Sequence, residues 1–385
     1  MALDDPESTI EDIRDGLDTC AESDMLDILA DLLIPDLITP EDEFEREGFD
    51  PPGHVFEVVA RATAVAQRSR EVATAEYLAA VLRERCGEPA KAEEHLKRAN
   101  AANRQIGPIV ERLGWYCFDR GDARGAMKWW NELEGTHEGA AAIAEFLTPD
   151  TGAEKTGRND PCWCESGRKF KHCHQNQSAL PALPDRVGWL ARKASLWIDH
   201  SAGHQRDELV RCAIAYALGD PDPHAYVPAD LEQIGDDVAD AFDDPIIVDA
   251  VLYEGGFLPH FIRDRGALLP EDEQLLLASW QLADRSVHEI IAVDPGLGFT
   301  ARNLATGDEL DVRERIASQQ IAVGERYCAR LVPDGVSNQI VGGVFAVRVG
   351  REEEVLDLCE RGDPLELCAY VGATMALQGS STNPD

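Results

Sequence analysis

Cys162, Cys164, Cys173 and His174 fall in one short stretch, Gly157 to His174, which reads GRNDPCWCESGRKFKHCH. Three of the ten cysteines therefore lie within twelve residues, with an imidazole directly after them. Soft thiolates and one imidazole are the ligand set of tetrahedral zinc, and a closed set of four leaves no coordination position open for catalysis. The backbone between the ligands suits the task. Pro161 stiffens the approach, and Ser166-Gly167 permits the reversal that returns Cys173 towards the first two thiols. The competing readings are a cysteine-rich surface loop and a redox pair at Cys162 and Cys164. Ligand arithmetic favours zinc.

The same residues carry a family resemblance. Gly157-Arg158-Asn159-Asp160-Pro161-Cys162, then Cys164, Ser166-Gly167-Arg168-Lys169-Phe170-Lys171 and Cys173-His174, resemble the SEC-C motif. That motif closes the tail of SecA preprotein-translocase motors and recurs in otherwise unrelated bacterial proteins. The resemblance implies a zinc knuckle of C-x-C-x8-C-[HC] type with ligands Cys162, Cys164, Cys173 and His174. It further implies a docking element, since in SecA the knuckle meets the export chaperone SecB, and lipid and ribosome contacts have been proposed. Trp163 and Glu165 stand where Pro and Gly are common, and neither is a ligand. The match covers 18 of the 385 residues, and nothing else in the chain resembles the SecA motor.

Charge sets the knuckle apart from its surroundings. The chain carries 72 acids against 36 bases, a formal charge of −36. Such a field opposes general affinity for nucleic acid or anionic membrane and suits solubility. Yet Arg158, Arg168, Lys169 and Lys171 cluster on the knuckle, with His172 beside them. A zinc centre with three ionised thiols and one histidine carries about −1, so part of this cluster is counter-charge. Four bases exceed that need, which points to a contact surface for an acidic protein face or for phosphates.

The elements around the knuckle divide the chain into four expected regions. Residues 1–147 form an acidic helical region. Its first fifty residues hold eighteen acids, yet Ile10, Ile13, Leu17 and Cys20, then Leu26, Leu29 and Leu33, recur at helical spacing. From about 54 to 147 the pattern is Ala-rich and helical with a period of 34: Gly87-Glu88 matches Gly121-Asp122, Ala92 matches Ala126, Leu82 matches Tyr116, Leu96 matches Trp130, and Ala80 corresponds to Gly114. Small residues let paired helices approach, and Gly marks the turn between them. The pattern resembles tetratricopeptide repeats; the competing reading is an ordinary helical bundle. Residues 148–184 are linker around the knuckle (157–174), with Thr148–Lys155 and Ser178–Pro184 as polar or proline-containing spacers. Residues 185–284 return to helix, with Gly255-Gly256 and Pro259 as a helix ending.

The last region, 285–378, changes to period 2. Val287, Glu289, Ile291 and Val293 alternate with His288, Ile290 and Ala292; Thr306-Gly307-Asp308 and Pro333-Asp334-Gly335 mark turns. Five short antiparallel strands are expected to roll into a small barrel, SH3-like or OB-like in outline, closed by two helices. The fold class is thus mainly α with a small C-terminal β-barrel.

Other chemistry is sparse. Gly296-Leu297-Gly298-Phe299-Thr300-Ala301 fits a dinucleotide fingerprint formally, but a strand rather than a helix follows, so it reads as a hairpin turn. His200 and His204 have metal-like spacing beside Asp199 and Asp207, though Ser201 and Gly203 argue for an interhelical loop. Asp236-Asp237 and Asp243-Asp244 read as solvated helix ends, and no phosphate loop or nucleophile–base pair is recognisable. Met1 to Glu7 lack the basic and apolar regions of a signal peptide, and no apolar run approaches the ~20 residues of a membrane helix. Cys20, Cys86, Cys117, Cys212, Cys328, Cys359 and Cys368 show no framework spacing and read as small buried residues in a reducing cytoplasm. The expectation is a cytoplasmic, non-enzymatic zinc-knuckle adaptor whose protein partner presents an acidic surface or is a chaperone. The alternative is a ribosome- or nucleic-acid-associated zinc protein.

Overall fold

The structure, a computed structural model, describes residues 8–21, 26, 30, 53–104, 106–133, 135, 137–144, 157–160, 169, 180, 182–199, 204–222 and 235–381. They divide into two compact units. One comprises Met1–Ala182 with Phe261–Glu271, the other Leu183–His260 with Asp272–Asp385.

The first unit is helical. Helix α1 (Ile10–Thr19) opens on a capping box in which the Asp12 N–H donates to Thr9 Oγ1 and the Thr9 N–H to Asp12 Oδ2. Its stripe Ile13, Leu17 and Cys20 is buried, as are Leu26 and Ala30, in one core with α2 (Gly53–Val65), α3 (Ser69–Arg85), α4 (Pro89–Ala102) and α5 (Gly107–Asp119). Helices α6 (Ala123–Trp130) and α7 (Glu138–Ala144) follow. The 34-residue offset recurs bond for bond in the turns. After α3, Gly87 N donates to Glu84 O (2.8 Å) and Glu88 N to Arg83 O (2.9 Å); after α5, Gly121 N donates to Phe118 O (3.0 Å) and Asp122 N to Cys117 O (2.9 Å). Both glycines take the left-handed conformation, φ 68° and 76°, that other residues resist. Helices α4 and α6 then start 34 positions apart, at Pro89 and Ala123, and Ala92 and Ala126 are both fully buried.

The second unit joins helices to a barrel. Helices α8 (Val187–Asp199), α9 (His204–Leu218), α10 (Gly235–Ala241) and α11 (Pro245–Leu252) precede α12 (Leu258–Arg265), which begins here and ends within the first unit. Helix α12 was not expected: Pro259, read as a stop signal, stands in its first turn, where a missing N–H costs nothing. Helix α13 (Glu271–Trp280) leads into strands β1 (Arg285–Asp294), β2 (Gly298–Asn303), β3 (Glu309–Arg313), β4 (Arg326–Pro333) and β5 (Asn338–Ala346). Helices α14 (Glu352–Arg361) and α15 (Pro364–Ser381) complete the unit.

The strands close into a barrel of order β1-β2-β3-β5-β4. One seam corrects the all-antiparallel expectation, because β3 meets β5 in parallel, Val312 opposite Asn338. Parity requires this: an odd number of strands cannot alternate direction all the way round a closed ring. The order is that of the OB-type Greek-key barrel, which selects between the two outlines expected. Ile290, Phe299, Ala301, Val312, Ala329 and Leu331 fill the interior. Irregular register in β1 between Ile290 and Ala292, and in the β4–β5 pairing beside Gly342-Gly343, supplies curvature. Gly296 lies in a turn and Gly298 opens a strand, so the glycine-rich stretch is a hairpin and not a dinucleotide loop.

Candidate metal centre and its flanks

The four expected ligands, Cys162, Cys164, Cys173 and His174, lie outside the described residues, as do Arg168 and Lys171. What is described is the turn that leads into them. The Gly157 N–H donates to Asp160 Oδ2 (2.8 Å) and the Asp160 N–H to Gly157 O (2.9 Å), closing a tight loop immediately before Pro161-Cys162. A Cβ on Gly157 would stand 2.6 Å from that carboxylate oxygen, so a larger residue there would have to shift the Asp160 side chain. Arg158 in this loop and Lys169, in an isolated β-bridge, are both exposed. These two of the four expected contact bases thus face water. The donor set itself, three thiols and an imidazole, suits zinc chemically. Among the described residues no other group of three His, Cys, Asp or Glu could hold a metal ion.

The flank after the knuckle differs from a free spacer. A Cβ on Gly121 would lie 2.3 Å from Leu180 Cδ2, so Leu180 rests against the bare backbone of the α5–α6 turn. Further on, in the second unit, Gln339 Nε2 donates to Pro184 O (2.7 Å) and Arg313 pairs with Asp185. Leu183–Arg186 forms a 3-10 turn. The apolar Leu180 and Leu183 were the sequence signal for these anchors, and the prolines around them obscured it. The preceding spacer, 148–155, lies outside the described residues.

The secondary candidates resolve simply. Helix α8 ends at Asp199 and α9 begins at His204, and His200, Ser201 and Gly203 lie outside the described residues. Asp236 and Asp237 stand exposed in the first turn of α10, and Asp244 caps α11 by accepting from Ile246 N (2.9 Å). The second unit also contains a cavity of about 300 Å³, lined by Arg192, Ser195, Asp199, Asp244, Asp249 and Tyr253 among others. Two of its acids serve the fold: Asp244 also accepts from Tyr216 OH (2.8 Å), and Asp249 pairs with Arg285 and Arg330.

Residues 158–176 match the SEC-C motif. The chain is 51% identical over 43 residues, 11% of its length, to a Protein translocase subunit SecA of Pseudomonas putida. It is 30% identical over 135 residues, 35% of its length, to a second Pseudomonas putida SecA, and 31% identical over 135 residues to that of Ectopseudomonas mendocina. It spans only 5–12% of the length of these relatives. No solved structure matches the chain significantly. Among the described residues no helix is long and apolar enough to cross a membrane.

Proposed function

We propose that this chain is a cytoplasmic, non-catalytic adaptor that docks on protein-export or chaperone machinery through a zinc-bound SEC-C knuckle. The observation that carries the reading is the SEC-C match at 158–176, supported by the partial similarity of the chain to translocase subunits. Cys162, Cys164, Cys173 and His174 would hold the zinc, which supplies a fixed turn and no open position for chemistry. Arg158, Arg168, Lys169 and Lys171 would then present positive charge on an otherwise acidic chain, attracting an acidic partner face. The paired helices α3–α4 and α5–α6, read as tetratricopeptide-like repeats, offer a second protein-binding surface.

The nucleic-acid reading draws its support from the OB-type barrel, a fold whose β2–β3 face serves oligonucleotides in other proteins. On that face Arg302 pairs with Glu309 (2.9 Å) and Asp311 accepts from Thr300 (3.0 Å), while Arg313 is held by Asp185. Its bases are already neutralised, so the protein-docking reading ranks first.

The test has two arms. Zinc-replete protein should carry one zinc per chain, and Cys162→Ser with Cys164→Ser should release it while both units stay folded. Lys169→Glu with Lys171→Glu should keep the zinc but lose capture of translocase or chaperone components, and wild-type capture should weaken with salt over a Debye length of about 8 Å. Metal-free wild type defeats the zinc assignment. Undiminished capture by the charge-reversed variant defeats the basic docking surface.

A further inference from the structure

The cysteines that sequence spacing left unassigned are free thiols in the described structure, and they are not scattered at random. Cys328 of β4 and Cys359 of α14 are 31 residues apart in sequence, yet their Sγ atoms stand 3.6 Å apart. Their accessibilities differ. Cys328 is fully buried, whereas Cys359 is partly exposed. Their surroundings are polar and charged. Arg285 and Arg330, each almost fully buried, lie beside the pair, with Glu254 accepting from Arg330 Nη2 (2.6 Å) and Asp249 pairing with Arg285.

Those neighbours divide the labour between the sulfurs. A hydrogen bond from Cys328, with the guanidiniums of Arg285 and Arg330, lowers Cys359 against burial and the opposing charge of Glu254. The hydrogen bond to Cys359, and burial, raise Cys328. The more accessible sulfur is therefore the more acidic of the two. Oxidant-sensitive cysteines have this arrangement: an accessible thiolate near cations, next to a second thiol that can resolve it.

We propose that Cys359 and Cys328 form a peroxide-sensitive dithiol, with Cys359 the attacking and Cys328 the resolving sulfur. Cys359 thiolate attacks one peroxide oxygen, the O–O bond breaks, and hydroxide leaves, giving a sulfenic acid. Cys328 then attacks that sulfur; the S–O bond breaks, the S–S bond forms, and the thiol proton leaves with the hydroxyl as water. Overall two thiols and one hydrogen peroxide become a disulfide and two waters. The bond would pin α14 to the barrel wall at β4.

A built-in control exists in the same unit. Cys212 of α9 and Cys368 of α15 are also hydrogen-bonded, and there the contact raises Cys212. Both are fully buried, so neither offers peroxide an exposed sulfur.

The experiment treats the full-length, zinc-loaded protein with limiting hydrogen peroxide, quenches with alkylating reagent, and maps each cysteine-containing peptide. The Cys328–Cys359 disulfide is expected to form at least about tenfold faster than any Cys212–Cys368 disulfide, because only the first pair offers peroxide a partly exposed sulfur. Dithiothreitol should reverse it. The knuckle thiols report separately through their own peptides. In Cys328→Ser, Cys359 should accumulate as sulfenic acid captured by dimedone; in Cys359→Ser, Cys328 should remain a thiol. If wild-type Cys359 stays alkylatable while other thiols oxidise, or pairs with a different cysteine, or if Cys212–Cys368 forms as fast, the proposal fails. Mapping of the wild type decides this even where a Ser variant folds poorly.

Discussion

The two units each bury a group of acids and arginines, and they treat those charges differently. In the first, both oxygens of Glu84 are partnered: Arg112 Nη1 (3.0 Å) and Tyr116 OH (2.9 Å) donate to Oε2, and Arg265 Nη2 pairs with Oε1 (3.0 Å). Burial pushes the Glu84 carboxyl up, but Arg112, Arg265 and the Tyr116 hydroxyl more than reverse this and hold it at about 2. Arg265 also reaches Asp119 (3.2 Å) and lies over the Tyr116 ring. In the second unit, Glu254 meets Arg330 and Arg285 through Oε1 alone, and Oε2 has no hydrogen-bond partner among the described residues. Burial then prevails and raises Glu254. With two acids and two arginines in each group, the difference lies in the carboxylates: both oxygens of Glu84 are partnered, and only one of Glu254 is.

The largest expected effect comes from breaking the better-satisfied group. Glu84→Gln leaves Arg112 and Arg265 facing a neutral amide in a buried site, and removal of one member of a buried pair costs about 3–5 kcal/mol. Denaturant unfolding followed by hydrogen exchange should show the loss in α3, α5 and residues 261–271 while the barrel strands keep their protection. Equal loss of protection in both units would mean that they unfold as one, and the contrast between them would have no energetic meaning.

Acid should separate the units next. His288 of β1 is buried, and among the described residues neither ring nitrogen meets a hydrogen-bond partner in normal geometry. Burial lowers it from 6.5 to about 4, and the Ala329 backbone offsets only part of that. A base held neutral by the fold contributes stability above pH 6.5 that is lost as pH falls towards 4, at most about 3 kcal/mol. Asp264 in the first unit responds with the opposite sign. Burial raises it from 3.8 to about 6 despite Arg263, so protonation favours the folded state as pH falls through 6. Glu84 turns against the first unit only below its ordinary 4.5. Raised Glu254 opposes His288 in part. Between pH 6.5 and 4.5 the barrel unit should lose protection and the helical unit should hold or gain it. His288→Leu should flatten the barrel's response; an unchanged acid slope would remove the histidine from the account.

Sequence disclosed these regions unequally. The helical unit was legible because its rules are local: Gly87 and Gly121 mark turns, and Ile13 and Leu17 recur at helical spacing. The five strands were legible from alternation around Gly307 and Gly335. The parallel seam was not, because Val312 and Asn338 meet only through the closed ring. The SEC-C motif was legible from the residue types between Gly157 and His174, whereas Leu180, apolar among prolines, gave no sign of which backbone it would meet. The charged groups and the Cys328–Cys359 contact were invisible for a single reason. Glu84 and Arg265, or Cys328 and Cys359, belong to different elements, and their meeting depends on tertiary packing that no spacing encodes.

Close approach at glycine gives the finest comparison between the units. At Gly343 of β5 a Cβ would stand 2.5 Å from Ile246 Cα and 2.6 Å from Ile246 N, both backbone atoms of α11. At Gly114 of α5 it would stand 2.1 Å from Trp130 Nε1, a side-chain atom of α6. Backbone cannot rotate away, so Gly343→Ala should cost at least the upper end of the about 1–3 kcal/mol typical of overpacking. An indole can shift, so Gly114→Ala should cost less. The 34-residue offset supplies the remedy for the second case. Ala80 and Leu96 stand where the later pair has Gly114 and Trp130, and all four are buried. A methyl group at the seam thus goes with the smaller side chain opposite. Gly114→Ala combined with Trp130→Leu rebuilds the earlier arrangement and should be less destabilised than the sum of the two single changes, a coupling of about 0.5–3 kcal/mol. Strict additivity in that cycle would show that the two helix pairs share turns but not a seam.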